Sequence, residues 1–231
     1  MRQRPLYLLG EELVFPPVTW ARPDGLLAVG GDLSIERLIL AYQSGIFPWY
    51  GDDSPIVWWA PPRRAVIEPA KLHVGRSLRK VVRSGAFELR FDTAFAEVIH
   101  QCASTPRHGQ PGTWIVPDME AAYIRLHEAG FAHSVESFQE GRLVGGLYGV
   151  SLGGCFFGES MFSHADNASK VAFVVLCEQL QAWSFDLVDC QIQNSHLETF
   201  GVYTIPRADF MKRLEESLLR PTRRGAWTRE S

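Results

Sequence analysis

Residues 132–162 read Ala132-His-Ser-Val-Glu-Ser-Phe138, Gln139-Glu-Gly141, Arg142-Leu-Val-Gly-Gly-Leu-Tyr-Gly-Val150, Ser151-Leu-Gly-Gly154, Cys155-Phe-Phe-Gly-Glu-Ser-Met-Phe162. Three runs rich in β-branched and aromatic residues are separated by two short Gly-containing turns. That pattern predicts strands over Ala132 to Phe138, Leu143 to Val150 and Cys155 to Met161, joined as antiparallel hairpins. Downstream, a long helix is predicted over Asn167 to Trp183, a strand over Leu187 to Ile192 and a final amphipathic helix over Asp209 to Leu219. Upstream lie predicted helices over Asp118 to Ala129 (closed by Gly130) and Ala94 to Cys102, and a strand over Phe87 to Phe91. Before them come a helix over Gly75 to Ser84 and a strand over Ala65 to Ile67. Hairpins followed by helix, strand and helix indicate an α+β or mixed α/β domain whose helices cover the sheet.

Pro61-Pro62, followed by Arg63 and Arg64, is the candidate boundary between residues 1–62 and residues 63–231. The first part is rich in Pro, Gly and Trp. It holds one predicted helix with Ser34 as N-cap, an apolar stripe of Leu38, Ile39 and Tyr42, and Gly45 at its end, then a short strand over Ile56 to Trp59. With 46% hydrophobic residues and only 20 Gly and 14 Pro among 231, the chain is neither disordered nor of low complexity. Its longest apolar run, Val171 to Cys177, is too short to cross a bilayer. Two basic residues open the chain, but Gly10, Glu11 and Glu12 break the apolar stretch behind them, so no secretory signal is read. Cys102, Cys155, Cys177 and Cys190 form no C-x-x-C pair, which predicts free thiols, no structural zinc and a cytoplasmic protein.

The net charge of −3 is unevenly spread: residues 63–90 carry +6 and residues 91–206 carry −9. Arg76, Arg79, Lys80 and Arg83 recur at helical spacing and form one basic stripe, while Val74, Leu78, Val81 and Val82 face inward. Such a stripe is either a solvated face or a track for an anionic partner, phosphate or nucleic acid. Glu159 lies on or at the end of an otherwise apolar strand, and Asp189 and Gln191 are two apart on another, so the latter two are expected to share one face. Burying unpaired carboxylates is costly. These three groups therefore form either an internal hydrogen-bond network or a reactive site. Trp49 and Trp114 sit beside turn residues (Phe47-Pro-Trp49, Gly112-Thr-Trp114), where an amphipathic ring can line a site. The histidines show no metal-binding spacing.

Gly25-Leu-Leu-Ala-Val-Gly-Gly-Asp-Leu33, Gly45-Ile-Phe-Pro-Trp49, Thr113-Trp-Ile115, Leu143-Val-Gly-Gly-Leu-Tyr-Gly149, Gly158-Glu-Ser-Met-Phe-Ser163, Asn167-Ala-Ser-Lys170 and Asp189-Cys-Gln191 occur in one order. From about Gly25 to about Leu219 the chain resembles the leucyl/phenylalanyl-tRNA–protein transferases. Residues before Pro23 and after Leu219 match little, and the basic tail from Arg220 to Arg229 gains no meaning from the likeness.

The resemblance implies transfer of Leu, Phe or, less well, Met from aminoacyl-tRNA to the N-terminal Arg or Lys of a protein, marking it for the N-degron pathway. It implies a C-terminal domain like the acetyltransferase (GNAT) superfamily, with a mainly antiparallel sheet flanked by helices, beside a small N-terminal domain. No ATP, metal or coenzyme is implied, because the acyl ester is already activated; a monomer is expected. By the family pattern Asp189 hydrogen-bonds the Gln191 amide, whose oxygen faces the attacking amine. Glu159 holds either the donor α-amine or the cationic acceptor side chain. The leaving 3′ oxygen is protonated through this relay or by the neighbouring 2′-OH. Leu147, Phe156, Leu176 and Val188 match the donor side-chain pocket, Trp49 and Trp114 the aminoacyl-adenosine end, and Arg76, Arg79, Lys80 and Arg83 would carry the tRNA.

Two rivals stand beside it. A coenzyme-A-dependent acetyltransferase needs an R/Q-x-x-G-x-G/A run between strand and helix; Arg142-Leu-Val-Gly-Gly-Leu147 fails at its last position and lies in a hairpin. A non-catalytic RNA-binding module would use the basic stripe but would not require Glu159, Asp189 and Gln191.

Overall fold

The computed structural model describes residues 6–106 and 115–229. Its first part builds a small sheet from β1 (Tyr7–Leu9), β2 (Leu26–Gly30), β3 (Phe47–Pro48) and β4 (Val57–Trp59), in the order β1-β2-β4-β3. Between β2 and β3 runs α1 (Ile35–Gln43). The Ser34 hydroxyl caps it by accepting the Arg37 backbone N–H, and Leu38, Ala41 and Tyr42 are buried. Gly45 turns the chain away at φ +69°, and a Cβ there would lie 2.5 Å from Met211 Sδ.

The larger sheet has seven strands: β5 (Arg63–Ile67), β6 (Glu88–Phe91), β7 (Ala132–Gln139), β8 (Arg142–Leu152), β9 (Cys155–Ser163), β10 (Leu187–Gln191) and β11 (Tyr203–Pro206). Their order is β11-β5-β10-β9-β8-β7-β6, antiparallel throughout except for β9 and β10. The helices are α2 (Arg76–Ser84), α3 (Phe95–Ser104), α4 (Pro117–Glu128), α5 (Ala168–Ala182), α6 (Ser195–Glu198) and α7 (Arg207–Leu218). The chain is thus a mixed α/β protein, as the hairpin run predicts. α5 supplies the long crossover that a parallel pair requires. With α2 it covers one face, over an apolar cluster that includes Leu147, Phe156, Leu176 and Val188. α1, α3, α4 and α7 pack on the other side, around Tyr42, Tyr123, Phe157, Phe162 and Phe210.

The functional geometry comes from β9 and β10. They pair only at Leu187–Cys155, Val188–Phe156 and Asp189–Phe157, and then part. At that point each strand carries a bulge. Against β8, Gly149 faces Gly158 while Tyr148 faces Ser160, which leaves Glu159 as the extra residue. Against β5, Asp189 faces Val66 while Gln191 faces Ala65, which leaves Cys190 extra. A bulge bends its strand and re-aims the following side chains. Phe157 and Phe162 consequently face the same core although an odd number of residues apart. Gly149 makes room for this: a Cβ on it would lie 2.2 Å from the Phe157 carbonyl oxygen.

Two stretches whose part in the fold the sequence leaves open are structural. Arg63 and Arg64, just past Pro61-Pro62, open β5, and Arg64 is fully buried. The tail beyond Leu219 packs onto the fold. Trp227 is 2% exposed and its ring stacks on His133 at 3.8 Å, while its backbone N–H donates to Asp92 Oδ2 at 2.6 Å.

Candidate active site

Where β9 and β10 part, a cavity of about 860 Å³ opens. Leu147, Phe156, Leu176 and Val188 all line it, and so do Glu159 and Gln191. The structure therefore brings together both halves of the sequence expectation, the apolar wall and two of the three polar groups. The wall comes from β8, β9, α5 and β10, and the polar end comes from the two bulges.

Glu159 is 8% exposed. Gln191 Nε2 donates to its Oε1 at 2.6 Å, and the Tyr123 hydroxyl donates to its Oε2 at 3.1 Å. Tyr42 and Tyr123 are also hydrogen-bonded to each other. Burial pushes the Glu159 carboxyl up to about 7, against hydrogen bonds from the tyrosines and Gln191 that pull it down; the nearby Asp189 charge adds to the rise. Both tyrosines are held well above their usual range, chiefly by burial and then by the Glu159 charge, so they remain protonated donors.

Asp189 does not line the cavity among the described residues. It is 0% exposed and forms a two-pronged ion pair with Arg64, Nε to Oδ1 at 2.8 Å and Nη2 to Oδ2 at 2.6 Å. The expected bond from the Gln191 side-chain amide to Asp189 is not made. Asp189 Oδ1 accepts the Gln191 backbone N–H at 2.9 Å instead, and the side-chain amide goes to Glu159. The physical reason is the bulge: with Cys190 extra and Gln191 at φ +58°, the two-residue alternation fails, and Asp189 and Gln191 no longer share a face.

Of the aromatic pair, Trp49 is 40% exposed and tilts against Trp59 at 5.8 Å, and it does not line the described cavity. Trp114 lies outside the described residues. Arg76, Arg79, Lys80 and Arg83 are all exposed along α2, with Leu78, Val81 and Val82 half-buried against the α5 core, as the helical spacing predicts. Among the described residues, no group of three or more His, Cys, Asp or Glu is placed to hold a metal, and no helix is long and apolar enough to cross a membrane.

Sequence reasoning missed Tyr42, Tyr123 and Arg64. Tyr42 and Tyr123 each sit in the apolar stripe of a helix, where a tyrosine reads as core. Arg64 stands in a Pro-Pro-Arg-Arg run that reads as a boundary between two parts of the chain. The available signal was the cost of the carboxylates themselves, since two buried acids demand donors from somewhere else in the chain.

The sequence profile of the leucyl/phenylalanyl-tRNA protein transferase family matches residues 66–215, and that of the leucyl/phenylalanyl-tRNA protein transferase N-terminal domain matches residues 31–62. A leucyl/phenylalanyl-tRNA–protein transferase of Myxococcus xanthus is 56% identical over 226 residues, 97% of this chain and 97% of that one. The protein of the same name from Nitratidesulfovibrio vulgaris is 57% identical over 223 residues, 96% of this chain and 95% of that one. Among solved structures, L-PGS from Bacillus licheniformis gives a slight likeness, with a TM-score of 0.39 at 11% identity over 69% of this chain and 51% of that one. The extent and identity of the sequence matches leave one assignment: the chain belongs to the leucyl/phenylalanyl-tRNA protein transferase family.

Proposed function

We propose that the protein takes an aminoacyl group from tRNA and joins it to the N-terminal amine of another protein. Leu, Phe and, less well, Met are the donor residues, Arg or Lys begins the acceptor, and the product is marked for N-degron degradation. The observation that carries this reading is the cavity in which an apolar wall of Leu147, Phe156, Leu176 and Val188 meets Glu159 and Gln191. An apolar side chain fits the wall, where full burial of a Leu- or Phe-sized group is worth about 1.5–3 kcal/mol. The reacting ester then lies toward the polar end.

The acceptor nitrogen attacks the ester carbonyl carbon; the C–N bond forms, the bond to the ribose 3′ oxygen breaks, and one proton must pass from nitrogen to that oxygen. Gln191 Nε2 is committed to Glu159, so the amide offers its oxygen to an amine N–H and orients the lone pair. Glu159, at about 7, is matched to an α-amine whose ordinary value is about 7.7–8.0. It takes the amine proton as the C–N bond forms. The ribose oxygen receives a proton in turn, directly or through its neighbouring 2′-OH. Asp189 acts through Gln191 and is a positioning residue rather than a catalytic one.

In this reading the larger sheet is of the acetyltransferase-superfamily type, and the parting of parallel β9 and β10 supports it. Residues 1–62 form a small N-terminal part beside a catalytic part of residues 63–231, and the protein works as a cytoplasmic monomer. The stripe on α2 carries the tRNA acceptor stem, with Trp49 and Trp114 toward the aminoacyl-adenosine end. A coenzyme A acetyltransferase is disfavoured by Arg142-Leu-Val-Gly-Gly-Leu147, which lies in β8 and leads into another strand rather than a helix.

Radiolabelled Phe-tRNA mixed with peptides that begin Arg, Lys or Ala tests the reading. Label is expected in an amide on the Arg and Lys peptides. Label on all three alike would remove the acceptor specificity, and label on none would remove the activity.

A further inference from the structure

The mechanism leaves a buried charged group unused. Arg64, 1% exposed, lies between the rings of Phe47 and Phe210, its guanidinium carbon 4.7 and 4.6 Å from their centroids. It spends its fork on Asp189 and its remaining Nη1 on the Gly45 carbonyl at 3.0 Å. Gly45 ends α1, the helix that carries Tyr42. A single guanidinium therefore ties together the strand end that bears Gln191 and the helix end that follows Tyr42.

Gln191 needs such a tie. A non-glycine residue at φ +58° occupies a region that side chains disfavour, and it persists only where surrounding bonds over-determine it. The bond in question is its N–H to Asp189 Oδ1. That oxygen is itself fixed by Arg64 Nε. Cut from Arg64, the Asp189 carboxylate would be free to rotate and take the Gln191 backbone with it. The Gln191 amide would then lose its 2.6 Å bond to Glu159.

We propose that Arg64 is a positioning residue for aminoacyl transfer: through Asp189 it holds the left-handed backbone of Gln191, and so the Gln191 amide, against Glu159 at the polar end of the cavity. This rests on the transferase reading above. Arg64 does not line the cavity among the described residues, so its effect falls on the rate of the bound complex rather than on binding. Lysine cannot substitute for it fully, since one ammonium replaces a planar fork with two parallel donors and a third aimed at Gly45.

The test compares the parent with Arg64→Lys and Arg64→Met by two readouts at a temperature well below every unfolding midpoint. One readout is kcat and KM for Phe-tRNA with an Arg-peptide. The other is hydrogen exchange of the Gln191 backbone amide in the full chain without substrate. Misplacing a catalytic group by about 1 Å costs on the order of 10²-fold in rate. Arg64→Met is therefore expected to lose about 10² in kcat with KM for Phe-tRNA unchanged, and to exchange the Gln191 amide at least tenfold faster. Arg64→Lys, which keeps the buried charge balanced and guards against a failure to fold, is expected to lose about tenfold, the equivalent of one charge-assisted hydrogen bond.

Variants with lowered unfolding midpoints but parental kcat and parental Gln191 exchange would overturn the proposal. If the parent itself transfers nothing, the transferase reading fails on its own account. Exchange at Gln191 then still decides the positioning role, and unchanged protection in Arg64→Lys and Arg64→Met overturns it.

Discussion

Glu159 holds a carboxyl that burial raises to about 7, and this couples stability to pH with a definite sign. The unfolded chain ionises it near its ordinary value of 4.5, whereas the folded chain resists ionisation until about 7. The folded state therefore binds the proton more tightly, its advantage is complete below pH 4.5, and it is lost as pH rises through 7. Glu159→Gln removes the titration but keeps an oxygen for Gln191. It is expected to match the parent in denaturant unfolding at pH 4.5 and to be more stable at pH 8, by about 2–3 kcal/mol. Equal stability at both values would mean that Glu159 is not raised. The same variant should lower kcat by about 10²- to 10⁴-fold, the usual worth of a general base, and should abolish the acidic limb near pH 7 in the parent's kcat profile. At this scale the sequence marks Glu159, Asp189 and Gln191, because polar groups in apolar strands stand out. It hides how they pair. The pairing is set by two bulges, and a bulge leaves no mark in a pattern of alternating residues until both neighbouring strands are in register.

At the scale of elements, α2 and the C-terminal tail carry the clearest tests. On α2 the four cations are exposed on one side, and Leu78, Val81 and Val82 pack against the α5 core on the other. Replacing Arg76, Arg79, Lys80 or Arg83 by Ala should weaken Leu- and Phe-tRNA binding alike and reduce the log–log salt slope by up to about 0.9 per lost phosphate contact. A minimal aminoacyl-adenosine donor should be used as well as by the parent; lost activity on that donor with an unchanged slope would take the tRNA off this helix. The tail is anchored by Trp227, which touches Phe156, Trp183 and Phe185 as well as His133. Trp227→Ala should cost about 3–5 kcal/mol in equilibrium unfolding, and a cost near zero would mean that the tail's packing contributes nothing to stability. Most long elements were legible to within one or two residues, because hydrophobic periodicity over nine or more residues is a strong signal. Of the short ones, β4, β5, β6 and β10 were legible too, but others were not. β1, β2, β3, β11 and α6 each span five residues or fewer. β11 even ends in Pro206, which only the edge position of that strand accommodates.

Across the whole molecule, the small sheet and the large one meet at the site rather than merely lying in sequence. Tyr42 of α1 completes the hydrogen-bond chain to Glu159, and the Gly45 carbonyl at the end of that helix receives Arg64. A chain read as two parts divided at Pro61-Pro62 thus shares one polar centre, which no local pattern could announce, because its members are scattered along the chain from Tyr42 to Gln191. The cavity depends on that centre at one end and on α5 at the other. The measurement that tests the account most directly is amide formation between labelled Phe-tRNA and an Arg-peptide, followed by the parent and Gln191→Ala side by side with tRNA affinity measured for both. The account predicts a Phe-Arg amide from the parent and a loss of at least about 10²-fold in the variant at equal tRNA affinity. No amide from the parent, or equal rates from the two proteins, would contradict it.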